Sequence, residues 1–137
     1  MAEKIRLLIC GSRNWSNKNI IRWCIDFYRE DIECIIEGEA RGADTLAREI
    51  AEEYSIPVLK FPADWEKYGL AAGPIRNKQM IEEGKPNFVI AFSNDIKSSK
   101  GTGDMVKKCR KAKIEGHLVG SFRDKKGNVK AKIIESW

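Results

Sequence analysis

The hydrophobic pattern of this 137-residue chain switches repeatedly between two periods, and that switching restricts the fold more than any other feature. Short, nearly continuous apolar runs lie at 5–10, 32–36, 56–61, 87–92 and 117–122. Runs of this kind suit strands covered on both faces. Between them the apolar residues recur at helical spacing, as in Ile20, Ile21, Cys24, Ile25 and Tyr28, or Leu46, Ala47, Ile50 and Ala51. Asn17 reads as the N-cap of a helix over 18–29. A second helix is expected over 42–54, a third opened by Pro74 and reaching about 83, and a lysine-rich one ending near 113. Pro57 belongs at a strand's beginning or at an edge.

Strand–helix alternation implies parallel pairing with right-handed crossovers. The expected fold is therefore α/β: a doubly wound, Rossmann-like, mostly parallel sheet of about five strands with helices on both faces. A turn at 125–128 and alternation over 129–134 add an antiparallel C-terminal strand. The length suits one domain, with a core over about 4–122 and a C-terminal strand or extension over 123–137.

In such sheets ligands bind beyond the carboxyl ends of the strands. Four of those ends carry unusual residues: Gly11-Ser12-Arg13 with Trp15, then Glu37-Gly38 through Arg41-Gly42-Ala43-Asp44, then Asp64-Trp65 through Arg76-Asn77, and last Gly101-Thr102-Gly103-Asp104. A helix N-terminus offers unpaired N–H groups and positive potential, and glycine lets the backbone approach an anion. Gly101-Thr102-Gly103, placed before a helix, is the leading phosphate cradle. Arg13, Arg41 and Arg76 are candidates to pair with phosphate through two parallel bonds, or to form salt bridges with Asp44, Asp64 or Glu37. Trp15, Trp65 and Tyr68 either stack on a base or plug the core beneath long loops. Asp44 and Asp104 either support their helix N-termini or recognise ribose or base.

Four separated cysteines and one histidine make no zinc pattern, so no metal is expected, nor any cofactor. Cys10, Cys24, Cys34 and Cys109 read as buried, reduced thiols. No apolar run approaches a membrane span, and no signal peptide is evident, so a cytoplasmic location is expected. The charge is uneven. Residues 1–96 hold 13 Lys/Arg against 16 Asp/Glu, whereas 97–132 hold 12 against 3. That basic third is either a solvated face or a surface for phosphates or nucleic acid.

The four loops together resemble the YspA-like branch of the SLOG superfamily, Rossmann-type domains related to the Lonely Guy (LOG) cytokinin-activating enzymes and to DNA-processing protein A. The resemblance rests on Gly11-Ser12-Arg13 with Trp15, on Gly38 with Ala40 through Asp44, on Ala63-Asp64-Trp65 with Ala72 through Met80, and on Gly101-Thr102 with Asp104-Met105-Val106. It covers about residues 4–112. It implies a nucleotide or nucleotide-derived ligand bound across the first, second and fourth strand ends, in a superfamily where some members hydrolyse N-glycosidic bonds and others sense ligands; the departures of this chain from the LOG pattern favour a binding or sensing domain. The ligand-binding set on this reading is Gly11, Ser12, Arg13, Trp15, Gly38, Arg41, Gly42, Asp44, Trp65, Arg76, Asn77, Gly101, Thr102, Gly103 and Asp104. LOG enzymes use a glutamate where this chain has Met105, and Glu39 stands where the related branch tends to have glycine, adding negative charge beside the expected phosphate. A nucleotide N-glycosidic hydrolase or transferase is the alternative, with Asp104, Asp44 and Glu37 as candidate carboxylates. A nucleic-acid-binding module is the second alternative. A homodimer, with Trp137 packing at an edge strand, is also expected.

Overall fold

The computed structural model describes residues 3–137. Its strands are β1 (Ile5–Gly11), β2 (Ile32–Glu37), β3 (Val58–Lys60), β4 (Phe88–Phe92), β5 (Glu115–Arg123) and β6 (Val129–Ser136). They form one six-stranded sheet in the order β3-β2-β1-β4-β5-β6. The first five strands in that row run parallel, and β6 pairs antiparallel with β5. The third strand is shorter than the apolar run: Ile56 and Pro57 precede it, although the Pro57 carbonyl still accepts from Ile35 N–H.

The helices are α1 (Lys18–Tyr28), α2 (Ala43–Glu53), α3 (Trp65–Tyr68), α4 (Ala72–Gly84) and α5 (Lys100–Lys111). Alternate strand residues point to opposite faces, which divides the core in two. On one face Leu7, Ile9, Ile35 and Ile90 pack with Ile21 and Ile25 of α1 and Ala47 and Ile50 of α2. On the other, Leu8, Ile36, Val89 and Ala91 pack with Met80 of α4 and Met105 and Cys109 of α5. Full burial of each such side chain is worth roughly 1.5–3 kcal/mol. All four cysteines are buried and unpaired, and burial pushes the Cys24 and Cys109 thiols up to about 12.

Two local features depart from the sequence pattern. The loop after β3 is not irregular throughout, since α3 and a 3₁₀ turn over Gly69–Ala71 lead into α4, where Pro74 is the third residue. The helix containing Gly101-Thr102-Gly103 begins at Lys100, so those residues form its first turn rather than a loop before it.

Much of the basic third has structural partners. Lys108 pairs with Asp104 four residues earlier, Arg110 pairs with Glu135, and the last turn of α5 carries Lys108, Arg110 and Lys111, where the helix dipole favours cations. Trp137 turns back on its own chain: its indole Nε1 donates to the Ile114 carbonyl, and Arg110 lies 4.6 Å above its ring. No helix among the described residues is long and apolar enough to cross a membrane.

The sheet order reverses between β1 and β4, and the packing there is close. A Cβ on Gly11 would stand 2.6 Å from both the Ala43 Cβ and the Phe92 carbonyl oxygen. Gly42 has φ +84°, and a side chain on it would overlap the Ser12 carbonyl oxygen. Gly42→Ala combines strained backbone with this overlap. It should lower stability by about 1–3 kcal/mol, read as a reduced urea midpoint at unchanged slope.

Candidate functional site

A cleft of about 850 Å³ opens at the carboxyl ends of the strands. Its walls come from the ends of β1, β2, β3 and β4. Gly11, Ser12, Arg13, Arg41, Asp44, Trp65, Arg76, Asn77, Gly101, Thr102 and Asp104 all contribute to it. Of the remaining candidates, Gly38, Gly42, Gly103 and Glu37 do not line this cleft, and Trp15 lines a neighbouring pocket instead.

Each of those exceptions has a physical cause. Gly38 is a spacer: Arg76 lies across it, donating from Nη1 to the Gly38 carbonyl at 2.6 Å, and a Cβ at residue 38 would meet that nitrogen at 2.5 Å. Gly42 is the spacer beneath the β1–α1 loop. Gly103 already donates its N–H to the Ser99 carbonyl at 2.8 Å, as a residue one turn into a helix does. Trp15 is buried against Phe92, with Nε1 donating to the Asn17 carbonyl. Trp65, in contrast, is 46% exposed and carries the Arg13 guanidinium 5.5 Å over its ring. Tyr68 is exposed outside the cleft, beside Lys67.

The charged groups of the cleft fall into two kinds. Its carboxylates are occupied. Asp44 is buried in the first turn of α2, but it supports the β2–α2 loop rather than its own helix: one oxygen accepts from Gly38 N–H at 3.0 Å and Ala40 N–H at 3.3 Å. Asp104 accepts from Asn77 Nδ2 at 3.0 Å and from Lys108 Nζ at 2.6 Å. The cations are largely unoccupied. Among the described residues Arg13, Arg41, Arg76 and Lys100 make no ion pair. Arg76 spends Nη1 on Gly38 and Nε on Asn77 Oδ1, leaving Nη2 without a protein partner. Burial lowers its pKa from the ordinary arginine value, opposed by the nearby Asp44 carboxylate.

Helix ends sharpen the contrast. Asn17 caps α1 by accepting from Ile20 N–H, and Asp64 caps α3 by accepting from Lys67 N–H. The N-termini of α2, α4 and α5 have no side-chain cap, and all three end at the cleft. The first N–H groups of α2 and α5 have no partner within the helix, whereas at α4 the Ala72 N–H donates to the Gly69 carbonyl and Pro74 has no N–H. At Gly101 nothing lies within 4 Å of where a Cβ would be, so the missing side chain leaves open space in front of the α5 N-terminus.

Two expectations about acidic groups need correction. Glu37 is fully buried and lies away from the cleft, with Oε2 accepting from Glu39 N–H at 2.7 Å and Oε1 lacking a partner. Strand alternation explains this, because Glu37 follows the face of Ile35, towards α2. Glu39 does adopt a glycine-like backbone, with φ +54°, but its carboxylate turns to Arg48 at 3.8 Å instead of standing beside the cleft. Met105 is buried in the core against Met80 and Leu8, whereas Asp104, one residue earlier, faces the cleft. No group of three or more potential metal-ligating side chains gathers among the described residues.

Asn14, Ser98, Ser99 and Lys100, which belong to the first and fourth strand ends but not to the ligand-binding set drawn from the sequence, also line this cleft. The signal was present for Lys100, which directly precedes the glycine-threonine turn. Leu70, 94% exposed at the mouth, carried no signal beyond its place in the long loop.

A crevice at the switch point of a 3-2-1-4-5 parallel sheet, walled by uncapped helices and unpaired guanidinium groups, defines a Rossmann-type protein with an anion-complementary rim. The chain belongs to the YspA, cpYpsA-related SLOG family, whose model matches residues 5–68, from β1 to the end of α3. It is 31% identical over 131 residues to the Gene 61 protein of Mycobacterium phage D29, covering 88% of this chain and 98% of that one. Among solved structures it is similar to DNA processing protein A (DprA) from Streptococcus pneumoniae, with a TM-score of 0.67 at 16% identity. That match covers 84% of this chain and 50% of the DprA chain, so the present chain spans half its length and shares its fold.

Two buried carboxyls make stability depend on pH. Burial raises Glu37 from an ordinary 4.5 to about 7 and Asp44 from 3.8 to about 6, with the hydrogen bonds from backbone N–H groups opposing the shift. A carboxyl whose pKa rises on folding holds its proton more tightly in the native state. Its stabilising effect is complete below the unfolded value and is lost as pH climbs through the folded one. Stability should therefore fall from pH 5 to pH 8. Glu37→Gln cannot ionise, so the stability difference between it and the wild type should shift in the variant's favour by about 2 kcal/mol over that interval. Urea midpoints at the two pH values measure this, and a difference independent of pH would contradict it.

Proposed function

We propose that the cleft binds a nucleotide or nucleotide-derived phosphate ligand, and that the protein acts as a binding or sensing domain rather than as a hydrolase. The observation that carries this reading is the division of charge. The cleft's carboxylates are already engaged within the protein, while its guanidinium groups and the N-termini of α2 and α5 are left for an anion. Phosphate is held between the N-terminus of α5 and the Arg13, Arg41 and Arg76 guanidinium groups, where two-pronged hydrogen bonding adds geometry to charge. The exposed Trp65 indole offers a face on which a base stacks. Asp44, held through Oδ2 alone, and Asp104, held through both oxygens, are placed to accept from ribose or base donors.

Cleavage of an N-glycosidic bond needs a carboxylate free to act at the anomeric carbon. Asp104 is held by Lys108 and Asn77, Asp44 by two backbone N–H groups, and Glu37 lies outside the cleft. These commitments favour binding over cleavage. Nucleic acid is less favoured, because Lys100 is the one cation of residues 97–132 that lines the cleft.

Calorimetric titration with nucleoside mono- and diphosphates tests the reading. The wild type should bind saturably, and Arg13→Ala and Arg41→Ala should each weaken binding about tenfold or more, the usual cost of a lost charge-assisted hydrogen bond. Gly101→Ala fits sterically and should leave thermal stability the same or slightly higher while weakening binding, because its methyl group enters the phosphate position. Absence of saturable binding at millimolar ligand, or binding indifferent to all three substitutions, sinks the proposal. Release of free base during incubation would turn it towards hydrolysis.

A further inference from the structure

We infer that the rim carries a second subsite, free of cations, for a sugar, so that the ligand class is a nucleotide whose phosphate bears a sugar on the side away from the nucleoside. This inference rests on the phosphate cleft proposed above and specifies what is attached to that phosphate.

The second cavity, of about 270 Å³, lies beside the cleft. The two share one wall, made by Ser12, Asn14, Ser98 and Ser99. Their chemistry differs sharply. The cleft holds four cations, whereas the smaller pocket holds none, and its only charged side chain is Asp95. The Asp95 carboxylate makes no hydrogen bond or ion pair among the described residues; its residue's contacts to Ser93 and Ser98 run through the backbone. A free carboxylate repels phosphate and accepts well from paired hydroxyl groups. The other polar groups are hydroxyls and amides held in place by one another. Asn94 accepts from Ser121 N–H at 2.7 Å and donates to its Oγ at 3.0 Å, and the Ser93 and Ser99 hydroxyls lie 3.0 Å apart. Trp15, buried with its Nε1 satisfied by Asn17, supplies an apolar wall. An aromatic surface ringed by fixed neutral donors and acceptors, in a space suited to one ring, matches a sugar.

Strand order puts the parts in series. By their attachment along the rim from β3 to β5 come Trp65 after β3, Arg41 after β2, Arg13 after β1 with its guanidinium reaching back over Trp65, Ser98 and Ser99 after β4, and Ser121 on β5. That sequence is aromatic, then cationic, then hydroxyl-rich. At roughly 4.8 Å between neighbouring strands it extends over roughly 19 Å. It follows the order base, phosphate, sugar in an extended nucleotide sugar.

The test is calorimetric titration of the full chain with ADP, GDP, UDP and CDP, each against the same diphosphate esterified with glucose. The glucose ester of the preferred base should bind on the order of tenfold more tightly than the plain diphosphate, the gain expected of two or so additional neutral hydrogen bonds. Ser121→Leu, which fills the smaller pocket, should bring that ratio close to one. Ser16→Leu, on an exposed loop of the same pocket, should do likewise and guards against a folding defect in the strand variant. Equal affinity for ester and diphosphate, or a ratio that survives both substitutions, overturns the sugar subsite while leaving the phosphate cleft in place. Failure of every diphosphate and every ester to bind overturns both.

Discussion

At the end of β1 the backbone of Gly11 lies between Ala43 on one side and the Phe92 carbonyl on the other, with no room for a methyl group. From there Ser12 donates its N–H to Phe92 at 2.9 Å, tying the β1–α1 loop to β4, while the Ser12 carbonyl lies against Gly42 at the start of α2. These contacts draw the ends of three neighbouring strands together at the point where the sheet order reverses. Gly38 extends the arrangement by letting Arg76, from α4, lie flat over the β2 loop. The glycines of this rim are therefore of two kinds. Gly11, Gly38 and Gly42 let chain segments approach each other, and Gly101 leaves space unfilled.

Close approach of loops creates an electrostatic problem that fixes the character of the cleft. Asp44 must be buried to hold the Gly38 and Ala40 N–H groups, and burial drives its carboxyl towards the neutral form. Arg76 and Arg13 act in the opposite sense on it, so part of their charge serves to keep Asp44 ionised. Arg76 is itself partly desolvated and has no carboxylate partner within ion-pair distance. Arg76 is half-buried and keeps Nη2 free, so on the proposed reading it meets a phosphate with a cation that is already partly desolvated.

The fold was legible because it depends on patterns of many residues. Five apolar runs separated by helical spacing dictate a parallel sheet, and alternation over 129–134 marks β6. The loops of the rim were legible as loops, but the direction of individual side chains was not. Glu37 and Gly38 are adjacent at the end of β2, yet the carboxylate follows the α2 face of the sheet, a fact decided by strand register. Met105 and Asp104 differ by one helical step, and only the placement of α5 on the sheet decides that the methionine enters the core and the aspartate faces the cleft. The pocket walled by Ser16, Ser93 and Ser121 left no local motif, since those residues meet only when β1, β4 and β5 stand side by side.

Those orientations also bear on what kind of function the site suits. A catalytic carboxylate must change its partners or its protonation during a reaction. In this cleft each carboxylate has a structural duty. Releasing Asp44 would free the β2–α2 loop that seats Arg76, and releasing Asp104 would leave Lys108 without its ion-pair partner. Chemistry at either group would loosen the frame that positions the cations. On the proposed reading, a site whose acids hold the scaffold and whose cations stand free suits retaining a phosphate ligand better than breaking it.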